Sequence, residues 1–272
     1  MTGAADAFGY KRNAEKPLLT MEEIAEMEDN LDSATEEISV VGRMLRLFHS
    51  PGETFEAVAR GHSWHDWVIP TLLTAIVVTV AAQITMPLTL EMNREAIEQR
   101  MKANAASMSE DDLARQREVM KKMSGFAEAS TLVVTPITIF ALTFITAGLL
   151  LLVGRLVLGG DIKYGQVLAV QGYTSLILIL QAIVLTPIRL EKESILIFLG
   201  PALFFDKDAL SGFFGSMVGM IDIFVLWQVV LGAIGLTVLT RGSFSKALTS
   251  MLILWVVYLA MFGGLMSLNQ GG

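Results

Sequence analysis

The amino-acid sequence predicts an all-α integral membrane protein with five transmembrane helices, an interfacial N-terminal helix and an extramembrane helical hairpin. Of its 272 residues, 53% are hydrophobic and the mean hydropathy is +0.56, which is excessive for a soluble domain. Five long segments carry at most one charge each, and about 20 apolar residues suffice to cross about 30 Å of hydrocarbon. The strands of a transmembrane barrel would be about half as long. The predicted spans are 67–90, 130–154, 165–187, 212–239 and 247–268.

The region before the first span begins with an acidic tail, residues 1–42. Between Glu15 and Glu37 there are nine acidic residues and one lysine. A segment with this charge and little apolar surface cannot bury a core, so we expect a disordered cytoplasmic tail. The alternative is a docking segment for a basic protein partner.

The basic, half-apolar stretch after the tail has the pattern of a helix that lies in the membrane surface. In Arg43–Phe48, apolar side chains alternate with arginines that can reach lipid phosphate. Pro51 then begins a short amphipathic helix, because proline fits the first helical position. Two tryptophans follow, at the depth that interfacial aromatic residues prefer. The predicted lipid-headgroup contacts are Arg43, Arg46, Trp64, Trp67 and, at the end of the second span, Arg155.

The loop between the first two spans, residues 91–129, predicts an external helical hairpin. It is too charged to cross the membrane, and Ile97, Met101 and Met108 fall on one helical face. Ser109 is positioned to cap a second helix that ends near Gly125. The loop contains five methionines, which could bind a soft metal, but methionine is more often packing filler.

Two features precede and open the fourth span. Ser194–Phe205 is an apolar run that is too short to cross the bilayer, so we expect an interfacial or re-entrant segment. Gly215 and Gly219 then give the span a face of small residues four positions apart. Such faces allow two membrane helices to approach closely, so both glycines are candidate helix-packing residues.

Asp222 is expected well inside the fourth span, where an ionisable side chain is costly. Polar side chains on the third and fourth spans are candidates to share its hydrogen bonds: Gln171, Tyr173, Gln181 and Gln228. Two interpretations remain open. Asp222 either fixes helix packing through hydrogen bonds or marks a path for protons or ions.

Composition and motifs argue against several classes of function. The net charge of −7 disfavours nucleic acid, whose binders need a basic face. There are no cysteines, hence no disulfide or cysteine nucleophile. His62, His65 and Asp66 are spaced to permit metal ligation, although headgroup contact fits their position better. No phosphate-binding loop or nucleophile elbow occurs, so we expect no enzymatic activity, cofactor or metal.

Three stretches resemble a known family. Phe48–Phe55, which reads FHSPGETF, and the following Trp64 and Trp67–Pro70 resemble the entrance of the YIP-domain family. Tyr164–Ala169 is similar to that family's link between helices two and three. The resemblance covers residues 44–268 and implies a prokaryotic-type member with five spans and a cytoplasmic N-terminus. The family is named for eukaryotic members that bind Rab-type GTPases, and the long helical loop departs from their compact form.

The sequence therefore predicts a non-enzymatic membrane scaffold or organiser that binds protein partners or shapes the bilayer. Expected partners are membrane lipids and proteins that dock on the acidic tail or the hairpin, and an oligomer is possible. Basic residues before the first span favour a cytoplasmic N-terminus, and five spans then place the C-terminus outside the cell membrane. The alternative is a small transporter or permease subunit built around Asp222. An intramembrane enzyme ranks third.

Overall fold

A computed structural model describes residues 20, 39–104, 110–195, 197, 199–205 and 212–270. Most of the predicted acidic tail lies outside these described residues. The α-helices, in chain order, are α1 (Val40–Arg46), α2 (Pro51–Arg60), α3 (His65–Asn104), α4 (Glu110–Leu152), α5 (Tyr164–Ser175), α6 (Ile177–Glu191), α7 (Gly212–Gly219), α8 (Ile223–Thr240) and α9 (Phe244–Gln270). A π-helical turn (Val153–Val157) follows α4, and a 3-10 turn (Pro201–Phe204) precedes α7.

Among the described residues, five helical segments are long and apolar enough to cross a membrane, which confirms the predicted all-α membrane fold. They are His65–Glu95, Ala129–Val157, Tyr164–Glu191, Ile223–Thr240 and Phe244–Met261. The fourth is 18 residues long and begins later in the chain than predicted, because the helix is interrupted between α7 and α8.

The extramembrane hairpin consists of continuations of the first two spans. Helix α3 runs without interruption to Asn104, and α4 begins at Glu110, next to the predicted cap, which itself lies outside the described residues. The predicted helix end near Gly125 is wrong, since α4 continues through it to Leu152. A single glycine costs a helix about 1 kcal/mol relative to alanine, too little to end a helix flanked by good helix formers.

The third span, formed by α5 and α6, lies at the centre of the bundle. Its apolar stretch is 56% buried, compared with 17% for the fifth span. Helices α5 and α8 contribute to two hydrophobic clusters, one shared with α1 and α2 and the other with α4 and α9. The segment before the first span is therefore part of the packed membrane domain.

Helix α2 directs its apolar face toward the protein. Phe55 and Val58 are fully buried, within the cluster that includes Tyr173 and Leu231. The side chains of Glu53, Glu56 and Arg60 form the exposed face of the same helix. The amphipathic pattern is present as predicted, but its apolar side covers the bundle.

Candidate functional site

A buried carboxylate at the start of the first span accepts hydrogen bonds from Arg43, Tyr173 and both the backbone N–H and the hydroxyl of Ser63. Asp66 is 1% exposed. Its Oδ1 accepts hydrogen bonds from Arg43 Nη1 at 2.6 Å and from the Tyr173 hydroxyl at 2.6 Å. Its Oδ2 accepts the backbone N–H of Ser63 at 2.7 Å. We call Arg43, Asp66 and Tyr173 the latch, because they join three separate elements.

Each member of the latch comes from a different part of the chain. Helix α1 carries Arg43, the first turn of α3 carries Asp66, and the buried face of α5 carries Tyr173. Gly172 allows α5 to approach α3: a Cβ there would lie 2.8 Å from Trp67 Cα and 3.3 Å from the Asp66 carbonyl oxygen. A larger residue would therefore separate Tyr173 from Asp66.

The burial of the Arg43–Asp66 ion pair favours a structural role for the latch, in which it positions helices. The Arg43 side chain is 12% exposed, so the ion pair is largely removed from water. A buried pair contributes little net stability against an apolar substitute, but removing one partner leaves an uncompensated charge. The ion pair therefore fixes α1 against the first span in the observed position, since moving α1 away would leave both charges without a partner.

Asp222 is a second buried aspartate, and the prediction that it lies well inside the fourth span is wrong. It is the N-cap of α8, in extended backbone between α7 and α8. Its Oδ1 accepts the N–H of Phe224 at 2.8 Å, and its Oδ2 accepts the N–H of Leu199 at 3.3 Å. Aspartate is a favoured N-cap residue, which explains why the fourth span begins after it.

Asp222 also has a basic neighbour at the end of the third span. Arg189 interacts electrostatically with it, and Arg189 Nε and Nη2 donate to the Ile197 carbonyl oxygen at 3.3 and 3.2 Å. Ile223 N–H donates to the Leu199 carbonyl at 2.9 Å. These bonds attach the segment before α7 to the end of α6 and to the start of α8, and no sequence pattern predicted either attachment.

The four polar residues proposed as partners of Asp222 do not hydrogen-bond to it within the described structure. Tyr173 donates to Asp66 instead. Gln171 and Gln181 are half-buried, and the buried Nε2 of Gln228 has no hydrogen-bond partner among the described residues. Of the four predicted partners of Asp222, Tyr173 thus belongs to the Asp66 site instead.

The three arginines predicted to contact lipid headgroups differ in their partners and in their exposure. Arg43 turns inward to Asp66, because the carboxylate gives it a buried partner. Arg46 donates to Glu53 at 3.4 Å and is partly exposed. Arg155 is exposed, and its Nε and Nη2 donate to the Ile162 carbonyl at 3.0 and 2.8 Å.

The two tryptophans before the first span have different environments. Trp64 is 59% exposed and lies against the His65 ring, with centroids 3.7 Å apart. Trp67 is half-buried and meets Phe144 edge-on at 5.3 Å. Trp64 remains available for the interfacial contact that the sequence predicts, whereas Trp67 joins the first two spans.

A Cβ placed on Gly219 would meet no described atom within 4 Å. Gly215 is buried. Close approach in this part of the bundle occurs at Gly263, where a Cβ would lie 2.7 Å from Met217 Cγ, and at Gly232, where it would lie 2.8 Å from Met251 Cε. Helix α9 therefore packs on α7 and α8 through these two glycines.

The five apolar spans and the packed lead-in helices define a multi-pass α-helical membrane protein. Residues 45–265, most of the chain, match the family model of the Yip1 domain. This chain belongs to the Yip1 domain family, as the resemblance in its entrance and interhelical turn predicts. No curated protein and no solved structure matches it.

Proposed function

We propose that this protein is a non-enzymatic membrane scaffold that binds protein partners through its acidic N-terminal segment. The latch is the observation that carries this proposal. It attaches α1 to the first and third spans through a largely buried ion pair and a tyrosine hydroxyl. The acidic residues precede α1 in the sequence, so the latch fixes the position of the helix to which they are joined.

The charge of this segment supports a basic partner surface. Opposite charge speeds encounter and excludes partners of like charge. The lack of catalytic motifs in the sequence and the contacts of the two buried aspartates support a non-enzymatic role. Both carboxylates are engaged in bonds that position helices.

Affinity purification after crosslinking in native membranes tests the proposal. The wild type should recover a reproducible set of proteins that is lost when residues 1–38, a separate unit of the chain, are removed. Asp66→Asn should reduce the yield of the same proteins, because α1 is released. Arg46→Gln is the matched control, since Arg46 is partly exposed and lies outside the latch. Identical recovery from the shortened chain would overturn the proposal.

The rival function is a small transporter built around Asp222, and one observation favours it. A break between α7 and α8 precedes the fourth span, with the buried Asp222 at the break and Arg189 within electrostatic reach, and broken helices form the sites of many transporters. Proton or solute flux in reconstituted vesicles, wild type against Asp222→Asn, decides between the two. Flux that Asp222→Asn abolishes while the protein stays folded would favour the transporter over the scaffold.

We also propose that the N-terminus faces the cytoplasm at the cell membrane and the C-terminus lies outside. The turns after the second and fourth spans are adjacent, since Gly160 abuts Thr240, and basic turns favour the cytoplasmic side. The chain lacks cysteine, so single-cysteine variants give an unambiguous label. A cysteine at Lys163 should be shielded from a membrane-impermeant maleimide in intact cells, and one at Asn104 should react. The reverse pattern would invert the topology.

A further inference from the structure

The outward face of α9 carries a groove that no part of the described structure covers. Its first section is lined by Val157, Ser245, Lys246, Thr249 and Ser250. Its second section is lined by Thr249, Leu252, Ile253, Val256 and Val257. Thr249 lines both sections, so the two shallow depressions adjoin along the helix. The fifth span is also the least buried of the five, which leaves this face open to the bilayer.

The chemistry of the groove changes along its length. Lys246 and two serine hydroxyls lie at the end near the start of α9, and Lys246 has no carboxylate partner among the described residues. Beyond Thr249 the lining is aliphatic. From Lys246 to Val257 the helix rises about 16 Å at 1.5 Å per residue, close to half of the roughly 30 Å hydrocarbon core.

These dimensions fit an amphiphile with an anionic head and one long chain in a single leaflet. We propose that the groove binds an anionic phospholipid, with the phosphate at Lys246 and Ser245 and an acyl chain along Ile253 and Val257. The N-terminus of α9 adds to the attraction, because the first N–H groups of a helix point at bound anions. The occupant is a membrane lipid, since the aliphatic section gives a soluble phosphate nothing to contact.

The test uses the full chain reconstituted in vesicles of equimolar phosphatidylglycerol and phosphatidylcholine, followed by gentle detergent extraction and mass spectrometry of the lipids that stay bound. The wild type should retain phosphatidylglycerol in preference to phosphatidylcholine. A lysine near an anionic surface accounts for roughly a fivefold preference, so Lys246→Gln should reduce the enrichment by about that factor and Lys246→Arg should keep it.

Lys163→Gln is the matched control, because Lys163 is exposed in the adjacent short turn and does not line the groove. It should leave the enrichment unchanged. Thr249→Trp, which fills the junction of the two sections, should lower the total lipid retained, and inorganic phosphate should displace none of it.

Three results would overturn the proposal. The first is equal enrichment in wild type and Lys246→Gln, and the second is displacement of the lipid by inorganic phosphate. The third is a disulfide between two copies of the chain through Ile253→Cys, which would show that a second protein molecule covers this face.

Discussion

The two buried aspartates, Asp66 and Asp222, have the same side chain and the same 1% exposure, yet their contacts differ. Asp66 is bound by side chains 23 and 107 residues away. Asp222 accepts backbone N–H groups, one of them only two residues away. One aspartate therefore joins distant elements, and the other begins a helix and fastens the preceding loop. Burial of an acid in a membrane protein does not by itself indicate transport or catalysis.

Among variants at the two aspartates, the largest loss of stability should come from removing the charge of Asp66. Asp66→Ala leaves the Arg43 guanidinium buried without its partner, which costs about 3–5 kcal/mol. Thermal or denaturant unfolding in detergent, followed by circular dichroism, measures this loss. Trypsin should also cut at Arg46 and Arg60 more readily, because α1 and α2 detach. The double variant Arg43→Met, Asp66→Leu should recover much of the stability, and wild-type stability of Asp66→Ala would contradict the latch.

Tyr173→Phe keeps the packing of α5 and removes a single hydrogen bond to the carboxylate. Hydrogen bonds to charged groups contribute about 1.5–3 kcal/mol, so the free energy of unfolding should fall by that amount. Tyr164→Phe is the matched control, since its hydroxyl donates to the Phe144 carbonyl at an exposed position. The control should lose less, and equal losses would argue that the Tyr173–Asp66 bond has no special importance.

The close approach of α5 to α3 gives a third test. Gly172→Ala introduces a methyl group against the backbone of Trp67, and overpacking of this kind costs about 1–3 kcal/mol. Gly219→Ala meets no atom within 4 Å and should be neutral or slightly stabilising, because alanine favours helix over glycine. Comparing the unfolding midpoints of the two variants measures the difference in stability. Wild-type stability of Gly172→Ala would mean that α5 can shift away from α3 without cost.

The smallest effects are expected at Asp222. Asp222→Ala removes an N-cap and should cost about 0.5–2 kcal/mol. Asp222→Asn should be nearly neutral, because asparagine caps a helix as well as aspartate does. Asp66→Asn, in contrast, still removes the charge that pairs with Arg43. Denaturant midpoints of these variants give the comparison, and equal losses for the two asparagine variants would show that both acids act as ion-pair partners.

The spans were predictable from the sequence because hydrocarbon thickness sets a minimum length for any helix that crosses it. The beginning of α2 at Pro51 was predictable too, since proline is a local signal for a helix start. Hydropathy alone could not locate the break before α8, because one aspartate barely changes the average of a long apolar run. The N-cap preference of Asp222, together with Gly219 shortly before it, was the available signal.

The latch was not predictable from the sequence, because it depends on tertiary contacts. Arg43 has the pattern of a headgroup contact and Asp66 that of a capping residue, and Tyr173 is one of several polar residues in the third span. Only the packing of α1 and α5 against α3 brings them within hydrogen-bond distance. An arginine in the helix before a span that begins with an aspartate is a pattern worth testing as a pair.

The uninterrupted course of α4 has a mechanical consequence. Residues 110–128 are helical and precede the span that begins at Ala129. These 19 residues rise about 28 Å, nearly the thickness of the hydrocarbon itself. Because α4 is continuous, its extramembrane part and its membrane-spanning part must tilt together. A bilayer thickness that changes the tilt of the embedded part should therefore displace the Glu110 end of the same helix as well.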